Sequence, residues 1–206
     1  CGPLFAYALL KAAADRFFWY SRYHHIVMDG FGFALVAGRV ADVYSSLVTG
    51  RAAEPGTFGS LAPLLEDEAG YRRSKRFEQD RQFWIDYLAD LQEPASLGES
   101  ARPAAHGFIR HSGLLPFSRI QQLHSIAHRA GVSLPQFVTA AAAIFVHRLT
   151  GAQDVIVDVP LTGRMTPAAR RAPWMMSNVL PLRLAVRADM SVSALAAEAT
   201  RRMRHV

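Results

Sequence analysis

The stretch Tyr23-His24-His25-Ile26-Val27-Met28-Asp29-Gly30 puts two imidazoles and a carboxylate side by side, next to a glycine. An imidazole exchanges protons near neutral pH, and a carboxylate four positions on can orient it, pair with a cation or share a metal ion. Arg16 to Val27 is a run of aromatic and β-branched residues without Gly or Pro, stopped by the turn signal Asp29-Gly30, so the pattern predicts a strand that ends beside a turn. Successive strand side chains point to opposite faces, so Phe17, Trp19, Ser21, Tyr23 and His25 share a face that His24 does not. One imidazole can then face a substrate while the other holds its surroundings. The same divergence argues against a metal: two adjacent strand histidines do not converge, no third ligand is spaced for zinc, and metal-dependent hydrolysis is the weakest of the chemistries considered. Asp29 lies beyond the strand, where a turn can bring its carboxylate back to orient the strand end or meet a cation.

The elements around this stretch alternate. Leu4 to Lys11 and Arg16 to Val27 read as two strands of a hairpin joined by Ala12-Ala13-Ala14-Asp15. Beginning inside a meander suggests a piece of a longer chain. Phe33, Ala34, Ala37, Val40, Ala41, Tyr44, Leu47 and Val48 recur at helical steps until Gly50, giving a helix whose N–H groups start beside the histidines. Arg51 to Ala62 is a loop. Leu64 to Leu91 is mostly helical, with Tyr71, Phe83, Trp84, Tyr87, Leu88 and Leu91 as its buried stripe. Glu93 to Gly107 is rich in Pro and Gly and is the best linker, and Phe108 to Leu115 is a candidate strand. Ser118 is placed to cap a helix through Ile120, Leu123, Ala127 and Ala130 that Gly131 closes. Ser133 caps the next, with Pro135 in its first turn, a core stripe of Phe137, Val138, Ala141, Ile144, Phe145 and Leu149, and Gly151 at its end. Asp154 to Val159 is a strand, Pro160 to Pro173 a loop, Asn178 to Val186 a strand, and Ser191 opens a last helix through Leu195, Ala199 and Met203. Alternating strands and helices predict a layered α/β fold.

With 206 residues, half of them hydrophobic, the chain can bury a sizeable core. No apolar run reaches the roughly 20 residues of a membrane-spanning helix, and no signal-like start is present, so no membrane association is expected. The single Cys1 excludes an internal disulfide framework, and a reducing cytoplasm is the simplest compartment. The formal charge of +6 is spread along the chain and is nearly all arginine, with Lys11 and Lys75 the only lysines. The densest basic group, Arg72, Arg73, Lys75 and Arg76, is flanked by acids, as in a solvated helix face, and no nucleic-acid-binding motif accompanies it.

The spelling His-His-x-x-x-Asp-Gly resembles the central motif of condensation domains of nonribosomal peptide synthetases, within the chloramphenicol-acetyltransferase-like superfamily. Further segments resemble the same family in its order. These are Val43-Tyr44-Ser45-Ser46-Leu47, Phe83-Trp84 through Leu91, Ser133-Leu134-Pro135, Leu149-Thr150-Gly151-Ala152-Gln153-Asp154-Val155, Val159-Pro160-Leu161-Thr162-Gly163-Arg164, and Met176-Ser177-Asn178-Val179-Leu180-Pro181-Leu182-Arg183. The resemblance implies two-layer sandwich lobes: residues 1–92 the end of an N-terminal lobe, 93–107 the inter-lobe linker, and 108–206 the beginning of a C-terminal lobe. It implies a tunnel reached by two carrier-tethered thioesters. The domain itself would bind no cofactor, the phosphopantetheine being carried by donor and acceptor carrier-protein domains of a synthetase with a neighbouring adenylation domain. Trp174-Met175-Met176 departs from the family's commoner pattern before Asn178, with the nearest likeness to siderophore-type or starter domains. The family's upstream Arg-His-Glu-x-Leu-Arg motif is absent, and Asp29 is therefore expected to lack its usual arginine.

The implied reaction is attack of an acceptor amine on a donor thioester to give an amide and a thiol. By the resemblance His25 faces the tunnel, as base or as positioner; the plain alternative is a partly buried histidine without a role. His24 reads as packed and hydrogen-bonded, Asp29 as an orienting or ion-paired residue. Gly30 either permits the turn or keeps space for a pantetheine arm. Asn178 and Arg183 are candidates for the far wall, with strand-end hydrogen bonding the competing reading. Arg164 has the same two readings, with loop solvation slightly favoured. Three functions remain open: amide formation, an epimerisation domain or stand-alone acyltransferase using the same histidines, and a non-catalytic carrier-docking remnant.

Overall fold

A computed structural model describes residues 2–56, 58–91, 95–98 and 110–205. The chain divides into two compact units: Cys1–Tyr87 with Leu161–Asn178, and Leu88–Pro160 with Val179–Val206.

In the first unit, β1 (Phe5–Lys11) and β2 (Phe17–Tyr23) form the expected antiparallel hairpin, Phe5 opposite Tyr23 and Lys11 opposite Phe17. Its aromatic side chains stack on one another, Tyr7 on Trp19 at 6.1 Å. α1 (Gly30–Val48) follows and ends where Gly50 turns left-handed at φ 66°. By length and composition it is long and apolar enough to cross a membrane, a test that the core helix of a soluble protein also passes. Small apolar residues raise its hydropathy across Arg39 and Asp42, so no uninterrupted apolar run marks it. The expected helix over 64–91 is two: α2 (Ala62–Arg72) and α3 (Lys75–Leu88). Ser74 breaks it, because its hydroxyl accepts the Phe77 N–H at 3.2 Å and so caps a new start. The stripe Phe83, Trp84, Tyr87, Leu88 and Leu91 is half-buried, Tyr71 is exposed, and Phe83, Trp84 and Tyr87 pack ring against ring. Within the loop expected at 160–173 the residues Pro167–Arg170 form one helical turn, α4, capped by Thr166. The segment Leu161–Asn178, assigned from sequence to the second half, packs with the first unit.

In the second unit, α5 (Phe117–Arg129), α6 (Leu134–Thr150), β3 (Asp154–Leu161), β4 (Asn178–Ala185) and α7 (Val192–Met203) build the apolar core. β3 pairs with β4, and α6 packs on α5 and α7. The capping box at Ser133 is complete, Gln136 returning its side chain to the Ser133 N–H at 2.8 Å, and Gly151 closes α6 at φ 74°. Ser191 caps α7. Ser118 does not cap α5, whose N-cap is Pro116. The stripe chosen for α6 is rotated from the one buried: Ala140 and Ala143 are inaccessible, while Val138, Phe145 and Leu149 are more than half exposed. Alanines face α7 because two helix backbones approach most closely over small residues, opposite Ala196 and Ala199. Of the expected strand at 108–115, the described residues 110–115 form none; residues 108–109, and the linker 93–107 apart from 95–98, lie outside the described residues.

Candidate functional site

β2 ends at Tyr23, four residues before the expected end. The His24 N–H makes the last hairpin bond, to Leu4 O at 2.7 Å, and the chain then turns, with Val27 N–H donating to His24 O at 3.1 Å. Strand alternation therefore stops short of both imidazoles, and each is exposed on the turn. Bonding distinguishes them instead. The Ile26 N–H donates to His24 Nδ1 at 3.2 Å, which makes Nδ1 an acceptor and fixes that ring against its own turn. The His25 ring has no hydrogen-bond partner among the described residues, so both of its nitrogens stay available. Beneath them the Tyr23 ring meets Phe33 edge-on at 5.8 Å, and burial pushes its hydroxyl up to about 12.

Asp29 is where the turn becomes a helix. It is the N-cap of α1, extended at φ −99°, ψ 178°, and Oδ1 accepts the Gly32 N–H at 2.8 Å. The expectation that this carboxylate lacks an arginine is corrected: Arg164 grips it with both arms, Nη1 to Oδ2 at 2.7 Å and Nη2 to Oδ1 at 2.9 Å. The backbone N–H groups of Met176 and Ser177 donate to Oδ2 at 3.0 and 2.9 Å. Burial raises the pKa of such a group, but here the Arg164 guanidinium and the three backbone N–H groups outweigh it and hold the carboxyl well below the usual range.

Arg164, for which solvation was favoured, is 4% exposed. It also donates to the carbonyls of Thr162, Ala172 and Trp174 at 3.0, 3.3 and 2.7 Å, and its guanidinium lies 4.6 Å from the centre of the Phe31 ring. Its physical reason for leaving solvent is the carboxylate itself, 135 positions earlier in the chain. Sequence reasoning passed over the two glycines that make this closure possible. A Cβ on Gly32 would sit 2.9 Å from the Pro173 carbonyl carbon; one on Gly163, already left-handed at φ 65°, would sit 2.2 Å from Met176 O. Gly163 was legible as part of the Gly163-Arg164 pair but not as a contact.

Gly30 has no left-handed φ, and a Cβ there would meet nothing within 4 Å. The turn does not need a glycine; the missing side chain leaves open space where α1 begins. Asn178 opens β4 and is exposed. Arg183 lies inside β4 rather than at a strand end. Its Nε and Nη2 hold Asp154 at 2.8 and 2.6 Å, and Nη1 holds Asp90 at 2.6 Å. The hydrogen bonds that Arg183 donates to Asp154 and then to Asp90 push its pKa still further up. The structure thus joins Asp29 to Arg164 in the first unit and commits Arg183 to two carboxylates in the second.

In a mixed α/β chain, His25 thus stands free on a turn, and the helix behind it is fastened by the buried Asp29–Arg164 ion pair. The chain belongs to the condensation domain family, whose model matches residues 1–206. It is 44% identical over 204 residues to a dimodular nonribosomal peptide synthase of Bacillus subtilis, covering 99% of this chain and 9% of that protein. It is also similar to the first condensation domain of the calcium-dependent antibiotic synthetase, with TM-score 0.89 and 39% identity, over 98% of this chain and 45% of that one. The starter condensation domain of rhizomide synthetase matches with TM-score 0.87 and 43% identity, over 99% of this chain and 46% of that one. The chain therefore spans slightly under half of the solved domains and about a tenth of the synthase.

Proposed function

We propose that this chain is the part of a nonribosomal peptide synthetase condensation domain that carries its reactive histidine, and that the complete domain forms an amide between two carrier-bound substrates. The observation that supports this best is the contrast at the motif: His25 is exposed and unbonded, while Asp29, four residues on, is locked by five hydrogen bonds. An acceptor amine attacks the donor thioester carbonyl, the C–N bond forms, the C–S bond breaks, and the amine proton passes by way of His25 to the departing thiolate. Gly30 leaves room for a pantetheine arm beside the ring. Asp29 and Arg164 do not touch substrate in this reading; they fix the turn. The finer architecture follows the family: two-layer sandwich lobes, residues 1–92 ending the first and 108–206 beginning the second, with a tunnel for donor and acceptor arms. Asn178 remains a wall candidate. Carrier domains bring the phosphopantetheine, and an adenylation domain is the expected neighbour, as the similarity to a multimodular synthase supports. The likeness to a starter domain favours an acyl donor.

The test is product analysis on the full-length protein with loaded donor and acceptor carriers. Amide product with release of one thiol supports the proposal. An inverted stereocentre without amide assigns epimerisation instead, and no product with either carrier leaves a docking role.

A further inference from the structure

Both Nη atoms of Arg164 are taken up by Asp29 and by the carbonyls of Thr162, Ala172 and Trp174. The Nε–H is different: it is sealed from water and has no hydrogen-bond partner among the described residues. Leaving a charged donor in that state is unfavourable. The start of α1 adds to the strain, because its first-turn N–H groups form the positive end of the helix, and the guanidinium sits there on the N-cap Asp29. Against this the structure lays the Phe31 ring, its centre 4.6 Å from Arg164 Cζ.

Phe31 is the second residue of α1, two positions after Asp29, so the helix start that Asp29 caps also aims this ring. The ring is 41% exposed. A side chain with that much surface in water gains little from apolar burial, which leaves its negative π face as the reason for an aromatic here. Two other cations lie near rings, Lys11 by Phe17 and Arg16 by Phe18, both at 5.7 Å and both exposed, where water weakens the attraction. Arg164 is closer to its ring and dry.

We infer that Phe31 is a positioning residue for the reaction proposed above: its π face holds the Arg164 guanidinium on Asp29, and through that ion pair it holds the turn that carries His25. Only the last step rests on the proposed function; the hold on the ion pair does not. Leucine would give similar apolar cover without the negative face, so the position calls for an aromatic ring rather than for an apolar side chain.

The experiment uses the full-length protein with loaded donor and acceptor carriers. It compares the parent with Phe31→Tyr, Phe31→Leu, and proteins in which Phe31 is replaced by mono- and trifluorinated phenylalanine, which keep the ring's shape while draining its face. Amide exchange at Gly32, Met176 and Ser177, whose N–H groups donate to Asp29, reads the ion pair. Exchange there is expected to rise stepwise with fluorination and by about two- to thirtyfold in Phe31→Leu, the weight of a cation–π contact, while Phe31→Tyr stays with the parent. The kcat for amide formation should fall in the same order with KM unchanged, because the ring acts on the turn and not on substrate. Flat exchange across the fluorinated proteins, or Phe31→Leu as well protected as the parent, overturns the inference. So does a change in KM in place of kcat, or exchange that follows the series while kcat stays put. If the parent makes no amide while exchange follows the series, the proposed function fails and the hold of Phe31 on Arg164 survives. If amide is made and the series is flat, this inference fails alone.

Discussion

The two units are held together by opposite means. In the second, Val155, Leu182, Leu184, Val186 and Leu195 close on Ala140, Ala143, Ala196 and Ala199 in an apolar core. In the first, the most buried charged groups are Asp29 and Arg164, and their neighbours are two glycines, two alanines and a run of backbone carbonyls. Several of its large apolar side chains, Phe5, Leu9, Phe17 and Phe18, are half exposed or more. Burial in the second unit is non-directional and tolerates exchange of like for like. Burial in the first depends on one geometry, in which each lone pair of a carboxylate is assigned. That is a way to fix a turn in place, and the turn carries the histidines.

The sharpest way to break this contrast is to delete one member of each centre. Asp29→Ala leaves Arg164 charged and sealed from water and should cost about 3–5 kcal/mol. Leu182→Ala leaves a void and should cost about 2–5 kcal/mol. Hydrogen exchange on the full-length protein separates them: Asp29→Ala is expected to lose protection at Gly32, Met176 and Ser177 while β3 and β4 keep theirs, and Leu182→Ala the reverse. Gly32→Ala should cost about 1–3 kcal/mol, since the Pro173 carbonyl must retreat from the new methyl. Thermal unfolding measures it.

Acid sharpens the same contrast. The Asp29 carboxyl is held below its ordinary value near 3.9. Its contribution is therefore complete above about pH 4 and is lost as pH falls through the lower folded-state value. A pH series of exchange rates should show the Asp29 N–H partners opening at acid pH before the amides of α6 do. Smallest is the pair of serines: Ser133→Ala removes a cap and should cost about 1 kcal/mol, while Ser118→Ala, which caps nothing, should leave the melting temperature unchanged.

Local signals in the sequence were reliable where the physics is local. The hairpin, the caps at Ser133 and Ser191 and the helix stops at Gly131 and Gly151 all depend on residues within a turn of one another. The α6 stripe was misread because that helix is apolar on more than one face, and only the partner helix decides which face is covered. The end of β2 was misplaced because aromatic and β-branched composition continues through His24, His25 and Ile26 although the hydrogen bonds do not. Near the histidines, the turn that Asp29-Gly30 signals was legible, with Asp29 opening the helix that follows. The role of Arg164 was not, since its carboxylate lies 135 residues away and nothing in the sequence near position 164 shows that it is buried.

Under the proposed function, labour is divided at this turn, His25 serving the chemistry and Asp29 with Arg164 the position. This division is tested by comparing amide formation in the full-length protein and in its His25→Ala variant, with the melting temperature measured on the same samples. Because His25 is exposed and unbonded, the melting temperature should stay where it is, while the rate falls by about 10²- to 10⁴-fold. An unchanged rate at an unchanged melting temperature contradicts the account.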